Sequence, residues 1–309
     1  MRRTLSNRTH PASCSEGENV PLTRGPRLLG LLVLLLLATA PSAALATPST
    51  PPARAGTSPG YRCVVDTFAQ SSTGRITFRR LVNNRVAVSR TSTAAVGWHP
   101  LSWGLLSVSS RPGHETTRQL VPSSDGRVRL VETAWQGGSG LRVTVLRVVA
   151  SDLPHRMVAA AGSAGVVWLD ADGVLHRRAW NGTGLGRTRV LPITIKRATA
   201  ITEYESPQGH VRAYVATRTG ALHVVTFDGT PADLVLAARG FSTVTGLKAG
   251  PCLSPDYVWT RAYSALLRVD RNTGVARFAR HLRPGLANGG ELTKPVRVDR
   301  ADWTWRWFG

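Results

Sequence analysis

Residues 170–177 read DADGVLHR, and the stretch TRTGALHV at 217–224 repeats their pattern 47 residues later. In both stretches a glycine is followed by a leucine two positions later and by a histidine three positions later. A glycine between two short apolar runs is typical of a tight hairpin whose tip needs a positive φ. The two stretches therefore predict equivalent β-hairpins at a fixed spacing.

Three further stretches share this pattern: SSTGRITF (71–78), SSDGRVRL (123–130) and RAYSALLR (261–268). The predicted turn residues are Gly74, Gly126, Gly173, Gly220 and Ser264, at spacings of 52, 47, 47 and 44. An aliphatic residue follows each turn by two positions, and an apolar residue precedes it by five. A period of about 47 residues matches one four-stranded blade of a β-propeller. Five such units fill residues 61–309, so we predict an all-β, five-bladed β-propeller of four-stranded antiparallel blades.

Short β-rich runs separated by Gly, Asp and Asn agree with this prediction, whereas no long segment has helical periodicity. The predicted strands include Val166–Leu169, Val174–Arg178, Val211–Ala216, Leu222–Phe227, Leu234–Ala238, Tyr257–Trp259 and Leu266–Val269. The chain ends on DWTWRWFG (302–309), which echoes GWHPLSWG (97–104) in the first unit.

The N-terminal segment has the pattern of a secretory signal peptide. Arg24 and Arg27 precede an apolar run from Leu28 to Ala40, and the small-residue pattern Ala44-Leu45-Ala46 follows it. A run of 13 residues is shorter than the roughly 20 that a membrane-spanning helix needs. We therefore expect residues 1–46 to be cleaved, residues 47–60 to form a flexible Pro/Thr/Ser linker, and the mature protein to be secreted.

Cleavage would remove Cys14 and leave two cysteines, Cys63 and Cys252, in an oxidising compartment. An even pair there predicts one disulfide. Cys63 lies eleven residues before Gly74, and Cys252 lies twelve residues before Ser264. These similar offsets predict that the two cysteines meet on neighbouring blades and close the ring. Two buried free thiols are the alternative.

The charge composition favours anionic partners. The net charge is +21, and only three of the 39 basic residues are lysine. This arginine bias, with abundant Ala and Gly, is typical of a high-GC bacterial genome. The arginines are dispersed, without a run of five, so no specific nucleic-acid interaction is indicated. We expect a monomer that binds anionic surfaces weakly and in a salt-dependent manner.

Motifs for catalysis or metal binding are absent from the sequence. It contains no G-x-S-x-G, H-E-x-x-H, C-x-x-C or P-loop pattern, and no cofactor is indicated. His176 and His223 occupy equivalent positions and lack a third metal ligand, so we interpret them as strand residues. Asp170 and Asp172 fit a hairpin turn better than a calcium loop, because the equivalent positions are not acidic. No catalytic residue and no metal site is predicted.

The nine tryptophans are the best indication of a ligand, because aromatic faces pack well against sugar rings. Trp168 and Trp259 share a position with Ala69 and Val121, which predicts that they pack between blades. Trp180, in AWNGT just before a turn, is predicted to be more exposed. It is the ligand-binding candidate.

The units DADGVLHRRAWNGT (170–183), TRTGALHVVTFDGT (217–230) and GFSTVTGLKAGPC (240–252) resemble those of tachylectin-type propellers, which are five-bladed lectins. The resemblance covers most of the mature chain, but the tryptophan motif of that family occurs here only around Trp98 and Trp303. It implies a secreted, non-catalytic module that recognises a saccharide or cell-wall glycan. The alternatives are a glycan hydrolase or lyase with carboxylates at the central channel, and a protein-interaction or structural propeller.

Overall fold

The computed structural model describes residues 62–206, 209–253, 259–282, 288–298, 303–304 and 306–308. The predicted signal peptide and linker lie outside these residues. All regular elements of the described chain are β-strands, and it has no helix that could cross a membrane.

Three sheets each contain four consecutive antiparallel strands. The second sheet along the chain consists of β4 (Gly104–Arg111), β5 (His114–Pro122), β6 (Val128–Gln136) and β7 (Arg142–Ala150). The third consists of β8 (Val158–Gly162), β9 (Gly165–Leu169), β10 (Val174–Ala179) and β11 (Arg189–Thr194). The fourth consists of β12 (Ala198–Glu205), β13 (Val211–Thr217), β14 (Leu222–Thr226) and β15 (Ala232–Ala237).

The first three and the last six described strands form one hydrogen-bonded sheet of nine strands, which has two parts. The first sheet contains β1 (Arg62–Gln70), β2 (Arg75–Val82), β3 (Arg85–Ala95) and the C-terminal β21 (Arg306–Phe308), which pairs with β1. The fifth sheet contains β16 (Val244–Leu253), β17 (Trp259–Asp270), β18 (Ala276–Leu282), β19 (Glu291–Leu292) and β20 (Val296–Arg297). Among the described residues, two pairs between β1 and β16 join these sheets, Arg62 with Leu253 and Cys63 with Cys252.

Both predicted features of the hairpin repeat occur in the sheets. The turn glycines are Gly74, Gly126, Gly173, Gly220 and Gly274, with φ between 61° and 101°. The residues five positions before them are at most 4% exposed: Ala69, Val121, Trp168, Val215 and Val269. The residues two positions after them are at most 2% exposed: Ile76, Val128, Leu175, Leu222 and Ala276. These apolar side chains are therefore the repeated core positions of the fold.

The fifth turn is at Gly274, so the prediction of Ser264 was wrong. Ser264 lies within the continuous strand β17, where it is 2% exposed and pairs with Pro251 and His281. The two short strands predicted around Trp259 and at Leu266–Val269 are therefore parts of one strand, β17. Tyr257, the start of the first of them, lies outside the described residues. The physical reason is the backbone requirement of the turn, which Gly274 meets with a φ of 61°.

The core consists of five buried clusters, each formed by two sheets that are neighbours in the order first to fifth and back to first. Between the first and second sheets, for example, Phe68 stacks on Trp103 with ring centroids 4.4 Å apart. Between the fifth and first sheets, Cys63 and Cys252 lie in one cluster with Trp303. Each sheet is therefore covered on both faces by its neighbours.

Two glycines allow strands of different sheets to approach one another closely. A Cβ atom on Gly104 of β4 would lie 2.3 Å from the carbonyl carbon of Ala161 on β8. A Cβ atom on Gly250 of β16 would lie 2.1 Å from the carbonyl oxygen of Val64 on β1. Any larger residue would push these strands apart, because such distances are far inside van der Waals contact.

The predicted disulfide is present and joins Cys63 to Cys252, whose Cα atoms are 3.9 Å apart. Its origin differs from the predicted one. The cysteines are direct partners in the antiparallel pairing of β1 with β16, and the similar offsets from Gly74 and Ser264 have no structural meaning because Ser264 is not a turn.

Candidate functional site

A large cavity, with a volume of about 710 Å³, lies where strands of all five sheets meet. We call it the axial cavity. Its lining includes Asp66 of β1, Leu105 of β4, Gly162 of β8, Glu203 of β12 and Lys248 of β16. The sequence did not indicate Glu203 or Lys248, because the two residues come from different repeats and match no local motif.

Glu203 is the most unusual group in this cavity. Its side chain is 3% exposed, and neither carboxylate oxygen has a hydrogen-bond partner among the described residues. The side chain packs over Gly162, where a Cβ atom would lie 3.1 Å from a carboxylate oxygen. Burial raises the pKa of Glu203 to about 7, because the charged form loses its hydration; the positive charge of Arg177 opposes this effect.

The other charged groups of the axial cavity have protein partners. Lys248 donates a hydrogen bond from Nζ to the carbonyl oxygen of Trp103 at 2.7 Å, and burial lowers its pKa to about 8. Both oxygens of Asp66 accept hydrogen bonds from Arg80, at 2.8 and 2.7 Å. Glu205 accepts a hydrogen bond from the hydroxyl of Ser163. Glu203 is thus the carboxylate in this lining that is left without a hydrogen bond.

A second cavity, of about 330 Å³, lies between the fourth and fifth sheets. We call it the cationic cleft, because four basic residues line it: Arg239, Arg268, Arg277 and Lys294. Arg239 follows β15, the other two arginines lie on β17 and β18, and Lys294 follows β19. No acidic residue is among the described residues that line this cleft.

Arg268 is held in a fixed position at the cleft. Its guanidinium lies over the Phe241 ring at 4.5 Å from the centroid and donates a hydrogen bond to the carbonyl oxygen of Gly240 at 2.7 Å. Burial lowers the pKa of Arg268, and the positive charge of Arg277 lowers it further. Within the described part of the chain, none of the four basic groups has a carboxylate within 4.0 Å. The cleft therefore concentrates positive charge; among the described residues, the carboxylate of Asp270 opposes it at Arg268 without forming an ion pair.

Trp180, the sequence-based ligand candidate, lies away from both cavities. It is half-buried at the end of β10, where it forms an isolated bridge with Leu185 and packs beside the cluster that contains Trp168. Trp168 is 3% exposed, as predicted for a residue between sheets. The side chain of Trp259 lies outside the described residues.

The repeated histidines have aspartate partners and no metal-like surroundings. His176 lies 2.9 Å from Asp170 and stacks on Trp168, and His223 lies 3.0 Å from Asp233. Asp170 also caps its hairpin turn by accepting hydrogen bonds from the backbone N–H groups of Asp172 and Val174. Among the described residues, no three His, Cys, Asp or Glu side chains are grouped as a metal site would need.

No protein-family profile matches the chain, and no curated protein sequence matches it significantly. In structure, the chain is similar to the fucose-specific lectin from Aleuria aurantia, with a TM-score of 0.44, 13% identity, and coverage of 78% of this chain and 80% of the lectin. It is also similar to AofleA from Arthrobotrys oligospora, with a TM-score of 0.45, 14% identity, and coverage of 78% and 72%. Another structure of the Aleuria aurantia lectin, described as a six-bladed β-propeller, gives a TM-score of 0.41, 10% identity, and coverage of 78% and 80%.

Proposed function

We propose that the mature chain is an exported, tachylectin-like propeller of five blades. The five core clusters, each between neighbouring sheets in cyclic order, support this number. The C-terminal β21 completes the first blade by pairing with β1, and the Cys63–Cys252 disulfide links that blade to the fifth. Hydrogen bonds and a covalent bond thus both link the first strand of the described chain to two of its later strands, β21 and β16.

We further propose that this propeller is a non-catalytic module that binds an acidic saccharide in the cationic cleft. The observation that carries the proposal is the group of four basic side chains around one cleft, none of which forms an ion pair with a described acidic residue. Arginine is well suited to carboxylate and sulfate groups, because its planar guanidinium donates two parallel hydrogen bonds. The cleft volume of about 330 Å³ falls within the range of about 300–1,000 Å³ that is usual for small-molecule sites.

Binding is favoured over hydrolysis by the state of the carboxylates in the axial cavity. A glycosidase needs two carboxylates that act on one bond, one as an acid and one as a base or nucleophile. Asp66 is held on both oxygens by Arg80, and Glu205 is hydrogen-bonded to Ser163. Only Glu203 is without a partner, and the cationic cleft contains no acidic lining residue among those described.

A glycan array with residues 47–309 tests the proposed function. The array compares sulfated and uronic-acid oligosaccharides with neutral ones, including α-methyl-L-fucoside, at low and high salt. We expect Arg268→Gln/Arg277→Gln to lower binding of the acidic glycans at least tenfold. The matched control is Arg85→Gln/Arg142→Gln, which removes the same charge from exposed strand positions outside the cleft.

Preferential binding of neutral sugars would contradict the acidic-saccharide proposal. An equal loss of binding in the two double variants would show that the whole surface, not the cleft, attracts the glycan. Release of reducing ends during incubation would instead favour the hydrolase.

A further inference from the structure

The axial cavity contains a carboxylate that the protein leaves without a hydrogen-bond donor. Both oxygens of Glu203 are unpaired among the described residues, although the residue is 3% exposed. Buried carboxylates are normally paired or hydrogen-bonded, because an isolated buried charge is strongly unfavourable. The unpaired carboxylate of Glu203 lies at the wall of a large cavity, where a bound ligand could supply the missing hydrogen-bond donor.

The charged groups around the axial cavity indicate which charge a ligand that pairs with Glu203 would have. Among the described residues, three carboxylates line the cavity, those of Asp66, Glu203 and Glu205, together with one ammonium group, that of Lys248. Lys248 directs a hydrogen bond to the Trp103 carbonyl oxygen and makes none to Glu203. A chain with a net charge of +21 thus has a cavity whose lining has more acidic than basic groups.

We propose that the axial cavity binds a small organic cation, whose ammonium or guanidinium group pairs with Glu203. Hydrogen bonds from a cation to a carboxylate are short and stronger than those between neutral groups. Leu105 and Val108 line the same cavity and are 38% and 46% exposed, so they offer an apolar surface to the carbon skeleton of the ligand. This site is separate from the cationic cleft and does not depend on the saccharide proposal.

The pH dependence of binding follows from the groups that face Glu203, which are Arg177 of β10, Glu205 of β12 and Lys248 of β16. Glu203 binds a cation in its charged form, so the affinity rises as pH increases through about 7. Loss of the Lys248 charge above about pH 8 removes a competing cation and raises the affinity further. An alkylammonium probe stays charged in this range, because its pKa is close to that of lysine, about 10.4.

The test is a titration of residues 47–309 with butylammonium and with 1-butanol, its neutral analogue, followed by protein NMR. We expect butylammonium to shift signals of the axial cavity and to bind at least tenfold more tightly than 1-butanol at pH 8. Glu203→Gln keeps the shape of the side chain but removes its charge, and should weaken butylammonium binding at least tenfold. Lys248→Met should strengthen it, and the surface control Arg85→Gln/Arg142→Gln should leave it unchanged.

Several results would overturn the proposal. These are equal binding of the two probes, unchanged binding in Glu203→Gln, or no perturbation of the cavity signals throughout the titration. Thermal unfolding establishes that each variant is folded. If Glu203→Gln does not fold, the comparison of butylammonium with 1-butanol between pH 6 and 8 in the wild-type chain decides the question alone.

Discussion

The Cys63–Cys252 disulfide should contribute a large part of the stability of this fold, since it closes a loop with a sequence separation of 189 residues. In the chain-entropy model, a loop of that length lowers the entropy of the unfolded chain by about 18 cal/mol/K, which corresponds to about 5 kcal/mol at 25 °C. The pairing of β21 with β1 remains without the disulfide, so the native fold should persist. We expect Cys63→Ala/Cys252→Ala to lower the free energy of unfolding by about 3–5 kcal/mol.

Urea denaturation followed by tryptophan fluorescence measures this difference, with residues 47–309 in the oxidised form as reference. A reducing agent should bring the wild-type chain towards the stability of the double variant and should leave the variant unchanged. The m-value should also be larger for the variant, because its unfolded state is less restricted. A loss below about 1 kcal/mol would refute the assignment of this stability to loop closure.

Three further predictions concern particular side chains. Gly104→Ala should destabilise the fold by at least about 2 kcal/mol, because the new Cβ atom would lie 2.3 Å from the Ala161 carbonyl carbon. The control is Gly97→Ala, whose new Cβ atom would have no atom within 4 Å. Similar losses of stability in both variants would contradict the steric explanation. Burial lowers the pKa of His281 to about 4, and the neutral ring accepts a hydrogen bond from Tyr214 and donates one to the Gly289 carbonyl oxygen. As pH falls, the histidine of the unfolded chain is therefore protonated at a higher pH than that of the folded chain. The stability of the wild type relative to His281→Asn should fall by about 3 kcal/mol as pH decreases from 6.5 to 4. A stability difference between the two proteins, measured by urea denaturation, that stays constant over this range would be the contrary result. The pH dependence of stability has the opposite direction at Glu203, because its pKa is raised to about 7. Its contribution to stability is complete below about pH 4.5 and is lost as pH rises to 7, so Glu203→Gln should gain up to about 3 kcal/mol of stability over the wild type across that interval. A stability difference that does not change with pH would count against the buried charge.

The repeat was predictable from the sequence because each turn glycine and its two apolar neighbours have local physical causes. Gly74, Gly126, Gly173 and Gly220 all adopt positive φ at hairpin tips. The fifth turn was missed because β16 and β17 are longer than the equivalent β12 and β13, which places Gly274 54 residues after Gly220. A search that required glycine at the tip would have rejected Ser264.

The disulfide was predicted correctly for a reason that the structure does not support. The expected removal of Cys14 with the signal peptide limited the choice to one pair, whereas the register of β1 against β16 decides that the pair can form. The register of these two strands depends on closure of the whole ring, so no local sequence pattern predicts it.

Neither the cationic cleft nor the axial cavity could be predicted from the sequence. Arg239, Arg268, Arg277 and Lys294 are four of many dispersed basic residues, and only the packing of the fourth sheet against the fifth brings them together. Glu203 lies within the strand sequence ATAITEYE, which gives no sign that the residue is buried and unpaired. Trp180 was predicted as a ligand contact because it is aromatic and precedes a turn, whereas the structure places it, half-buried, beside a core cluster.

The saccharide proposal is tested most directly by calorimetric titration of residues 47–309 with tetragalacturonate and with its methyl ester, at physiological ionic strength. The two ligands share one sugar skeleton, and esterification removes only the negative charges. Binding in the cationic cleft predicts one site per chain, an affinity for the acid at least tenfold higher than for the ester, and loss of that preference in Arg268→Gln/Arg277→Gln. Equal affinity for acid and ester, or a preference that survives in the double variant, would contradict it.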